Sequence, residues 1–273
     1  MVPQEIATKA EQIRETIIQM LVAAGSGHTA GPLGMADIFA ALYFNILKHD
    51  PKNPGWEERD RLILSNGHIV PVRYAAMAHA GYFPVEECLT LRKFGSRLQG
   101  HPERSKLPGL ETTSGPLGSG TSQAAGMAYA LKMDKKPNYI YCIVSDGEQQ
   151  EGNTWEGAMF AGKYKLSNLI AIMDRNYIQI DGKTEEVMPL DSVKAKYESF
   201  NWHVIEVDGN DIAAFIAAVG EAKKVEDKPI MIIAKTIPGK GVKDIEGDYH
   251  WHGKTPKKEE GEKFLEEIRT SHA

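Results

Sequence analysis

Apolar residues recur at three- and four-residue intervals near the start of this chain, between Glu, Lys, Gln and Arg. Their positions are Ile6, Ala10, Ile13, Ile17, Met20 and Leu21. This spacing is typical of an amphipathic helix, and the pattern stops at Gly25, a residue type that commonly follows a helix. Residues 35–47 repeat the same period and predict a second helix.

Five short apolar runs rich in branched residues have the composition of buried strands. They are residues 62–64, 140–144, 169–173, 204–207 and 230–234. Helical stretches alternate with the later runs, at residues 122–133, 154–164 and 211–224. Such alternation implies a parallel sheet that is covered by helices on both faces. We therefore expect a doubly wound, mainly parallel α/β fold.

Two long segments interrupt this alternation. Residues 100–120 are rich in Gly and Pro, and residues 238–253 form the second segment. Long loops inside a compact α/β domain are usually functional, so we expect binding residues there. The last periodic stretch, residues 257–268, alternates Lys and Glu around apolar positions and predicts a terminal helix with a solvated charged face.

The composition is that of an ordinary globular protein. The chain has 273 residues, of which 42% are hydrophobic and 25% are charged, and a single domain over residues 1–273 is the simplest expectation. The formal net charge is −5, and Lys and Arg are scattered without a basic block. Nucleic acid is therefore not an expected partner.

The cysteines and the apolar runs bear on the cellular compartment. Cys88 and Cys142 lie outside any C-x-x-C pair, which suits a reducing compartment and offers neither a disulfide framework nor a zinc site. No apolar run approaches the ~20 residues of a membrane helix, and the amino terminus lacks the features of a secretory signal. We therefore expect a cytoplasmic protein that does not insert into membranes.

Polar residues follow two consecutive predicted strands. Asp146 comes soon after the run at residues 140–144, and Asn176 follows the next run, thirty positions further on. Open α/β sheets bind ligands at the carboxyl ends of their strands, and Mg²⁺ prefers oxygen ligands and shares its shell with phosphates. Gly147 lets the backbone approach a phosphate closely. An ordinary strand-to-helix turn would also explain an isolated Asp-Gly pair.

Two segments resemble the signature of thiamine-diphosphate enzymes: S-D-G-E-x-x-E-G at residues 145–152 and D-R-N-Y-I-Q-I-D-G at residues 174–182. This resemblance implies that Asp146, Asn176 and the backbone carbonyl of Ile178 hold Mg²⁺, or Ca²⁺ or Mn²⁺ in its place. It also implies that Gly147 touches the diphosphate and that Ile180 packs near the thiazolium ring. The full set of residues expected to contact the cofactor is His68, Gly115, Pro116, Leu117, Gly147, Glu148, Asn176, Ile180 and His252.

Four histidines stand in segments that resemble the transketolase family. They are His28 in S-G-H-T-A-G-P-L-G-M-A, His68 in L-S-N-G-H, His101 in G-H-P-E and His252 in W-H-G-K. An isolated histidine is more often a satisfied surface or core residue. Together with the metal motif, however, these segments cover residues 10–255 in family order. Imidazole suits proton exchange with sugar hydroxyls because its unperturbed pKa lies near neutrality.

The resemblance implies a role for each part of the site. The first and third histidines, His28 and His101, are expected to face hydroxyls of the donor sugar. The other two, His68 and His252, are expected near the diphosphate and the reacting carbons. The T-S-G-P-L-G segment is expected to line the aminopyrimidine pocket through Gly115, Pro116 and Leu117. The chain departs from the family pattern at Thr29-Ala30, where Pro-Gly is usual, and at Ser145, where Gly is usual.

Glu151 and Glu156 flank the start of the helix that is predicted after the metal motif. Acidic residues there favour the helix dipole whatever the function. The family resemblance offers a second role, in a chain of carboxylates that links paired active sites across a subunit interface.

In the transketolase family, the glutamate that activates the cofactor belongs to a second, pyrimidine-binding α/β domain. The motifs found here do not include it. We therefore expect that domain on a separate chain, a C-terminal transketolase subunit, in an α2β2 assembly. The assembled enzyme would transfer a two-carbon ketol unit between sugar phosphates, with thiamine diphosphate as cofactor.

Three other interpretations fit parts of the sequence. Two are thiamine enzymes, a deoxyxylulose-phosphate synthase and the alpha chain of a 2-oxoacid dehydrogenase, and the G-H-P-E and T-S-G-P-L-G segments favour transketolase over both. The third is a cofactor-binding or assembly subunit without activity. The presence of Asp146, Asn176 and all four histidines argues against it.

Overall fold

The computed structural model describes residues 1–270, so the last three residues of the expected domain lie outside the described part. The strands are β1 (Arg61–Leu64), β2 (Ile140–Ser145), β3 (Leu169–Arg175), β4 (Ile178–Gln179), β5 (Gly182–Lys183), β6 (His203–Asp208) and β7 (Ile230–Lys235). Five of them form a parallel sheet in the order β1-β2-β3-β7-β6, and β4 and β5 form a small antiparallel hairpin.

The helices include every helical stretch that the sequence predicts. They are α1 (Pro3–Ala24), α2 (Ala30–Gly34), α3 (Ala36–Ala41), α4 (Val70–His79), α5 (Ser119–Met133), α6 (Gly152–Lys163), α7 (Thr184–Val187), α8 (Val193–Ser199), α9 (Ile212–Ala222) and α10 (Lys258–Thr270). Helix α1 ends as expected, because Gly25 adopts a left-handed conformation and its N–H bonds the Leu21 carbonyl. The second predicted helix is divided, since a π-helical turn over Leu42–Ile46 follows α3.

Helices cover both faces of the sheet, which confirms the doubly wound α/β class. Along β2, Tyr141 and Ile143 point into a core that α1, α3, α4, α9 and α10 share. Their neighbours Cys142 and Val144 point into a second core with α5, α6 and α8. Strand side chains alternate between the two faces, so all of β2 is buried.

The register of the sheet places the metal motif at one edge. Ser145 of β2 pairs with Asp174 of β3, and the Asp146 N–H donates to the Asp174 carbonyl at 3.2 Å. The residues that follow the two strands, Asp146 and Asn176, therefore lie side by side at the carboxyl ends, as the sequence predicts. Within residues 1–270, no helix is both long and apolar enough to span a bilayer.

Candidate active site

A cavity of about 340 Å³ opens at the carboxyl ends of β2 and β3. Its walls bring together most of the residues that the sequence singled out: His28, His68, His101, Gly115, Leu117, Gly147, Glu148, Glu151, Asn176, Ile178, Ile180 and His252. The other three are not part of its wall. Asp146 is completely buried beneath it, Pro116 is exposed on the same loop as Gly115, and Glu156 is exposed on α6.

Three of the histidines form a compact cluster. The ring centroids of His28 and His68 are 4.8 Å apart, those of His68 and His252 are 5.1 Å apart, and those of His28 and His252 are 5.6 Å apart. His101 stands outside this cluster and is exposed, although a Cβ atom on Gly67 would come within 3.2 Å of its ring. The structure thus brings the four histidine-bearing segments to one cavity, with His101 at its rim.

Burial keeps these imidazoles neutral. It lowers the pKa of His28 to about 4, and His252, Arg92 and His101 add to this effect. Burial also lowers the pKa of His68 well below its usual range, with His252, His28 and His101 contributing. The pKa values of His101 and His252 are lowered for the same primary reason. Each ring therefore offers one N–H donor and one acceptor nitrogen near pH 7.

The Asp146 carboxylate is held from three directions. It accepts hydrogen bonds from the Gly147 N–H at 2.7 Å, the Tyr177 N–H at 2.7 Å and Arg175 Nη1 at 3.1 Å. Arg175 also pairs with Glu185, which lies on α7 beyond the β4–β5 hairpin. Burial raises the pKa of Asp146 to about 6, against the lowering effect of Arg175. Two carboxylate oxygens provide about four acceptor positions, so one remains for a cation.

Asn176 is oriented by its neighbours. Its Nδ2 donates to Asp174 Oδ2 at 2.8 Å, and its Oδ1 accepts from the Ile178 N–H at 3.1 Å. Asp174 is completely buried and is also bonded by the Thr236 hydroxyl. Because an amide oxygen has two lone pairs, Asn176 keeps one acceptor position for a ligand. The carbonyl of Ile178 faces the same turn, since a Cβ atom on Gly147 would lie 3.9 Å from it.

These residues fit a diphosphate and a divalent cation. A Cβ atom on Gly147 would approach Gln179 Cβ to 3.1 Å, a tight contact, so glycine leaves more room at this turn for a close phosphate contact. His28 Nδ1 and His252 Nδ1 are buried without a hydrogen-bond partner among the described residues. In residues 1–270 no group of three or more His, Cys, Asp and Glu side chains forms a metal site. A site made of one carboxylate, one amide oxygen and one carbonyl suits Mg²⁺, which completes its shell with phosphate oxygens.

The Glu148 side chain joins three segments of the cavity wall. Its carboxylate is fully buried and accepts hydrogen bonds from the Ser65 hydroxyl, the Gly118 N–H and the Ser145 N–H. Ser65 in turn accepts from the Gly120 N–H at 3.0 Å. Through these three bonds Glu148 ties the segment of Gly118 and the segment before His68 to the end of β2.

Gly118 is fitted closely to this arrangement. It has a φ of 81°, in the left-handed region, and a Cβ atom there would lie 1.9 Å from Asn153 Oδ1. Any other residue type would be strained by this backbone conformation and would have to displace the Asn153 side chain. The T-S-G-P-L-G segment therefore has its shape because its last glycine packs against the start of that helix.

We expect Glu148→Gln to lower the free energy of unfolding by about 1–3 kcal/mol, because an amide cannot accept all three hydrogen bonds. Urea unfolding followed by circular dichroism measures the change. Glu103→Gln is a matched control, since that carboxylate bonds only to Ser105, Thr113 and nearby backbone in an exposed loop. Equal stability of Glu148→Gln and the wild type would show that Glu148 does not join these segments.

The loop that carries His101, residues 100–120, is held by contacts at its middle and between its two ends. Glu111 is buried and binds the Arg59 guanidinium through both carboxylate oxygens. The Ser114 N–H donates to the Pro102 carbonyl at 3.1 Å. These bonds bring the two ends of the loop, with His101 on one side and Gly115 on the other, to the same cavity.

Sequence reasoning missed several residues of the cavity wall. Ser145, Gln150, Gln179 and Asp181 also line it, and Gln179 Nε2 lies 3.5 Å from Gln150 Oε1. All four stand inside the two quoted signature segments, so their positions in those segments were the signal that could have found them. Ser145, a departure from the family pattern, is accommodated because it ends β2 in an extended strand, and its carbonyl accepts from Gln149 Nε2.

A parallel α/β sheet with oxygen donors, a glycine turn and neutral imidazoles at its carboxyl edge defines a diphosphate-cofactor domain of an enzyme. The family model described as "Transketolase, thiamine diphosphate binding domain" matches residues 6–269. The chain belongs to the transketolase family.

Two shorter relatives and one full-length enzyme illustrate the relationship. The "6-deoxy-6-sulfo-D-fructose transketolase subunit SqwG" of Clostridium sp. (strain MSTE9) is 45% identical, with 91% of this chain and 90% of that protein aligned. An apulose-4-phosphate transketolase subunit of Phocaeicola vulgatus is 38% identical, with 97% of this chain and 94% of that protein aligned. The mouse transketolase is 40% identical, but only 42% of its length is covered.

Solved structures agree with this relationship. The transketolase from Leishmania mexicana superposes with a TM-score of 0.91 at 34% sequence identity, over 97% of this chain and 41% of that protein. The transketolase from Campylobacter jejuni gives the same TM-score at 36% identity, over 99% of this chain and 43% of that protein. The α/β fold of this chain is therefore that of one part of these longer enzymes.

Proposed function

We propose that this chain is the N-terminal subunit of a two-chain transketolase that uses thiamine diphosphate. Assembled with a C-terminal subunit, it transfers a two-carbon ketol unit from a ketose phosphate to an aldose phosphate. The observation that carries this proposal is the convergence of four histidine loops and the metal-type donors in one cavity. Relatives with the names of transketolase subunits align over nine-tenths of their length, which supports the two-chain arrangement.

Asp146, Asn176 and the Ile178 carbonyl would hold Mg²⁺, or Ca²⁺ or Mn²⁺, against the diphosphate. When bound, thiamine diphosphate supplies the carbanion chemistry of the reaction. The protein supplies position and electrostatics: the glycine turn at Gly147 admits the diphosphate, and Asp146 balances part of its cation's charge. Ile180, whose side chain is exposed at the cavity, would cover the thiazolium ring.

The neutral histidines exchange protons with the sugar. His28 and His101 would contact hydroxyls of the ketose, while His68 and His252 would lie near the diphosphate and the reacting carbons. A neutral imidazole is able to donate a hydrogen bond through one nitrogen and accept through the other. Burial lowers the pKa of the three clustered rings, so each is neutral and offers an acceptor nitrogen to a sugar hydroxyl.

The pyrimidine-binding domain and its activating glutamate are proposed to lie on the C-terminal subunit, in an α2β2 assembly. Glu151 and Glu156 are exposed in this chain, as carboxylates that meet a partner or relay protons would be. The buried thiols Cys88 and Cys142 are free, which suits the reducing cytoplasm.

We expect the purified chain alone to show no ketol transfer and to gain it when mixed with the chain that carries the pyrimidine-binding domain. The reason is that the activating carboxylate must come from outside the motifs found here. The test follows aldehyde transfer from a ketose phosphate with thiamine diphosphate and Mg²⁺ present, with each chain alone as the control. Robust turnover by the lone chain would refute the two-chain proposal, and no turnover by the mixture would refute the activity.

A further inference from the structure

Thr29 and Ala30, where the chain departs from the family pattern, bind both ends of the loop that carries His252. The Thr29 side chain is completely buried, and its hydroxyl donates to the Lys254 carbonyl at 2.6 Å. The Ala30 carbonyl accepts from the Gly239 N–H at 2.8 Å. Two adjacent residues thus hold the start and the end of residues 239–254 against the segment of His28.

We propose that Thr29 is a positioning residue, whose hydroxyl sets the separation of His28 and His252. One hydrogen bond joins segments that are 225 residues apart in sequence, directly after one histidine and two positions after the other. This proposal rests on the proposed function and extends it. It holds that Thr29, which lies outside the cavity wall, determines the positions of two histidines within that wall.

The packing around this bond is close. The rings of His28 and His252 meet edge to face at a centroid distance of 5.6 Å. A Cβ atom on Gly253 would lie 4.0 Å from His28 Nε2 and 3.7 Å from Ile180 Cδ1. A shift of the loop away from Thr29 would therefore change both the distance between the two rings and the packing of Gly253 against Ile180.

Two residues of this segment, Trp251 and Lys254, also contact helix α10. The Lys254 ammonium lies 3.7 Å from the centre of the Trp251 ring and 3.4 Å from Glu260 on α10. Trp251 packs against Phe264 of the same helix. These contacts attach the outer side of the loop to α10, and the Thr29 hydroxyl attaches its inner side. Proline, which is usual in the family at this position, has no hydroxyl and could not make the inner contact.

The test compares Thr29→Val, which keeps the shape and removes the hydroxyl, with Thr29→Ser, which keeps the hydroxyl. Thr29→Ala gives a second hydroxyl-free variant that cannot overpack the site. Thr16→Val is a matched control, because Thr16 is also buried and donates to the Gln12 carbonyl at 2.9 Å, within α1. Hydrogen exchange of the chain is measured first, and ketol transfer by the assembled enzyme second.

We expect Thr29→Val and Thr29→Ala to speed hydrogen exchange across residues 239–254. In the assembled enzyme they should lower kcat for the ketose donor roughly tenfold to a hundredfold, since small displacements of reacting groups have effects of that size. Thiamine-diphosphate affinity should fall by a smaller factor than kcat, because Asp146 and Asn176, the proposed metal ligands, are not moved. Thr29→Ser should restore both properties, and Thr16→Val should leave exchange of residues 239–254 unchanged, because its hydroxyl contacts only α1 and His79 of α4 among the described residues.

Wild-type exchange and wild-type kcat in Thr29→Val would overturn the proposal. Equal losses in Thr29→Val and Thr29→Ser would also overturn it, since the hydroxyl that Ser retains would then not be enough to hold the loop. The exchange experiment does not depend on turnover. If the wild-type assembly has no ketol transfer, the proposed function fails, whereas the exchange of residues 239–254 still decides whether the hydroxyl holds the loop.

Discussion

Replacing Asp146 by alanine should abolish the Mg²⁺-dependent binding of thiamine diphosphate to the assembled enzyme. Asp146 is the only carboxylate among the three proposed donors, and its removal leaves a divalent cation with neutral protein ligands. Two unit charges 4 Å apart at an effective dielectric constant of about 20 interact by about 4 kcal/mol, which corresponds to about a thousandfold in affinity. Titration calorimetry with thiamine diphosphate, in the presence and absence of Mg²⁺, measures the loss.

Two further variants sharpen this experiment. Asp146→Asn keeps an oxygen ligand and removes the charge, so it separates coordination from electrostatics. Asp208→Ala removes an exposed carboxylate at the end of β6, two strands from β3 along the same edge of the sheet, and should leave the affinity unchanged. An unchanged cofactor affinity in Asp146→Ala would place the cation elsewhere.

The second large effect is expected at His101. His101→Ala should lower kcat/KM for the ketose phosphate roughly 100- to 10,000-fold, the range in which a positioned acid or base contributes. Cofactor affinity should stay nearly intact, because His101 is exposed at the rim and stands outside the cluster of His28, His68 and His252. Steady-state kinetics and calorimetry on the same preparation separate the two quantities.

His79→Ala is the matched control for this variant. His79 is partly buried at the far end of α4, where its Nε2 lies 2.9 Å from the Thr16 hydroxyl, and it has no place in the cavity wall. It should leave kcat/KM unchanged. Comparable losses of turnover and cofactor affinity in His101→Ala would instead assign His101 to the cofactor site.

The sheet could be predicted because its strands are buried on both faces and therefore read as continuous apolar runs. Helix α4 could not be predicted in this way. Its residues are buried almost all round, including Arg73 and Tyr74, so it shows no alternation of apolar and polar faces. The hairpin of β4 and β5 has only two residues in each strand, which is too short for any periodic pattern.

The cavity could be anticipated only in part. The signature segments and the segments around the histidines predicted most residues of the cavity wall, because each is a short stretch of sequence. The partners of Glu148 could not be foreseen, since its bond to Ser65 spans 83 residues and depends on the packing of the whole sheet. The hydrogen bond from Thr29 to the Lys254 carbonyl could not be foreseen for the same reason, because it joins residues that are far apart in sequence. The sequence marked Thr29 only as a departure from the family pattern.

Arg175 supplies a counter-charge to the buried carboxylate of Asp146. A buried carboxylate without a partner is strongly destabilising, and an aspartate that awaits a cation would be in that position. Here Asp146 already has a guanidinium at 3.1 Å, which Glu185 and the Tyr177 ring hold from the other side. The charge of the Asp146 carboxylate is therefore balanced by a residue of the same chain, and the proposed cation is not needed to offset the cost of burying it.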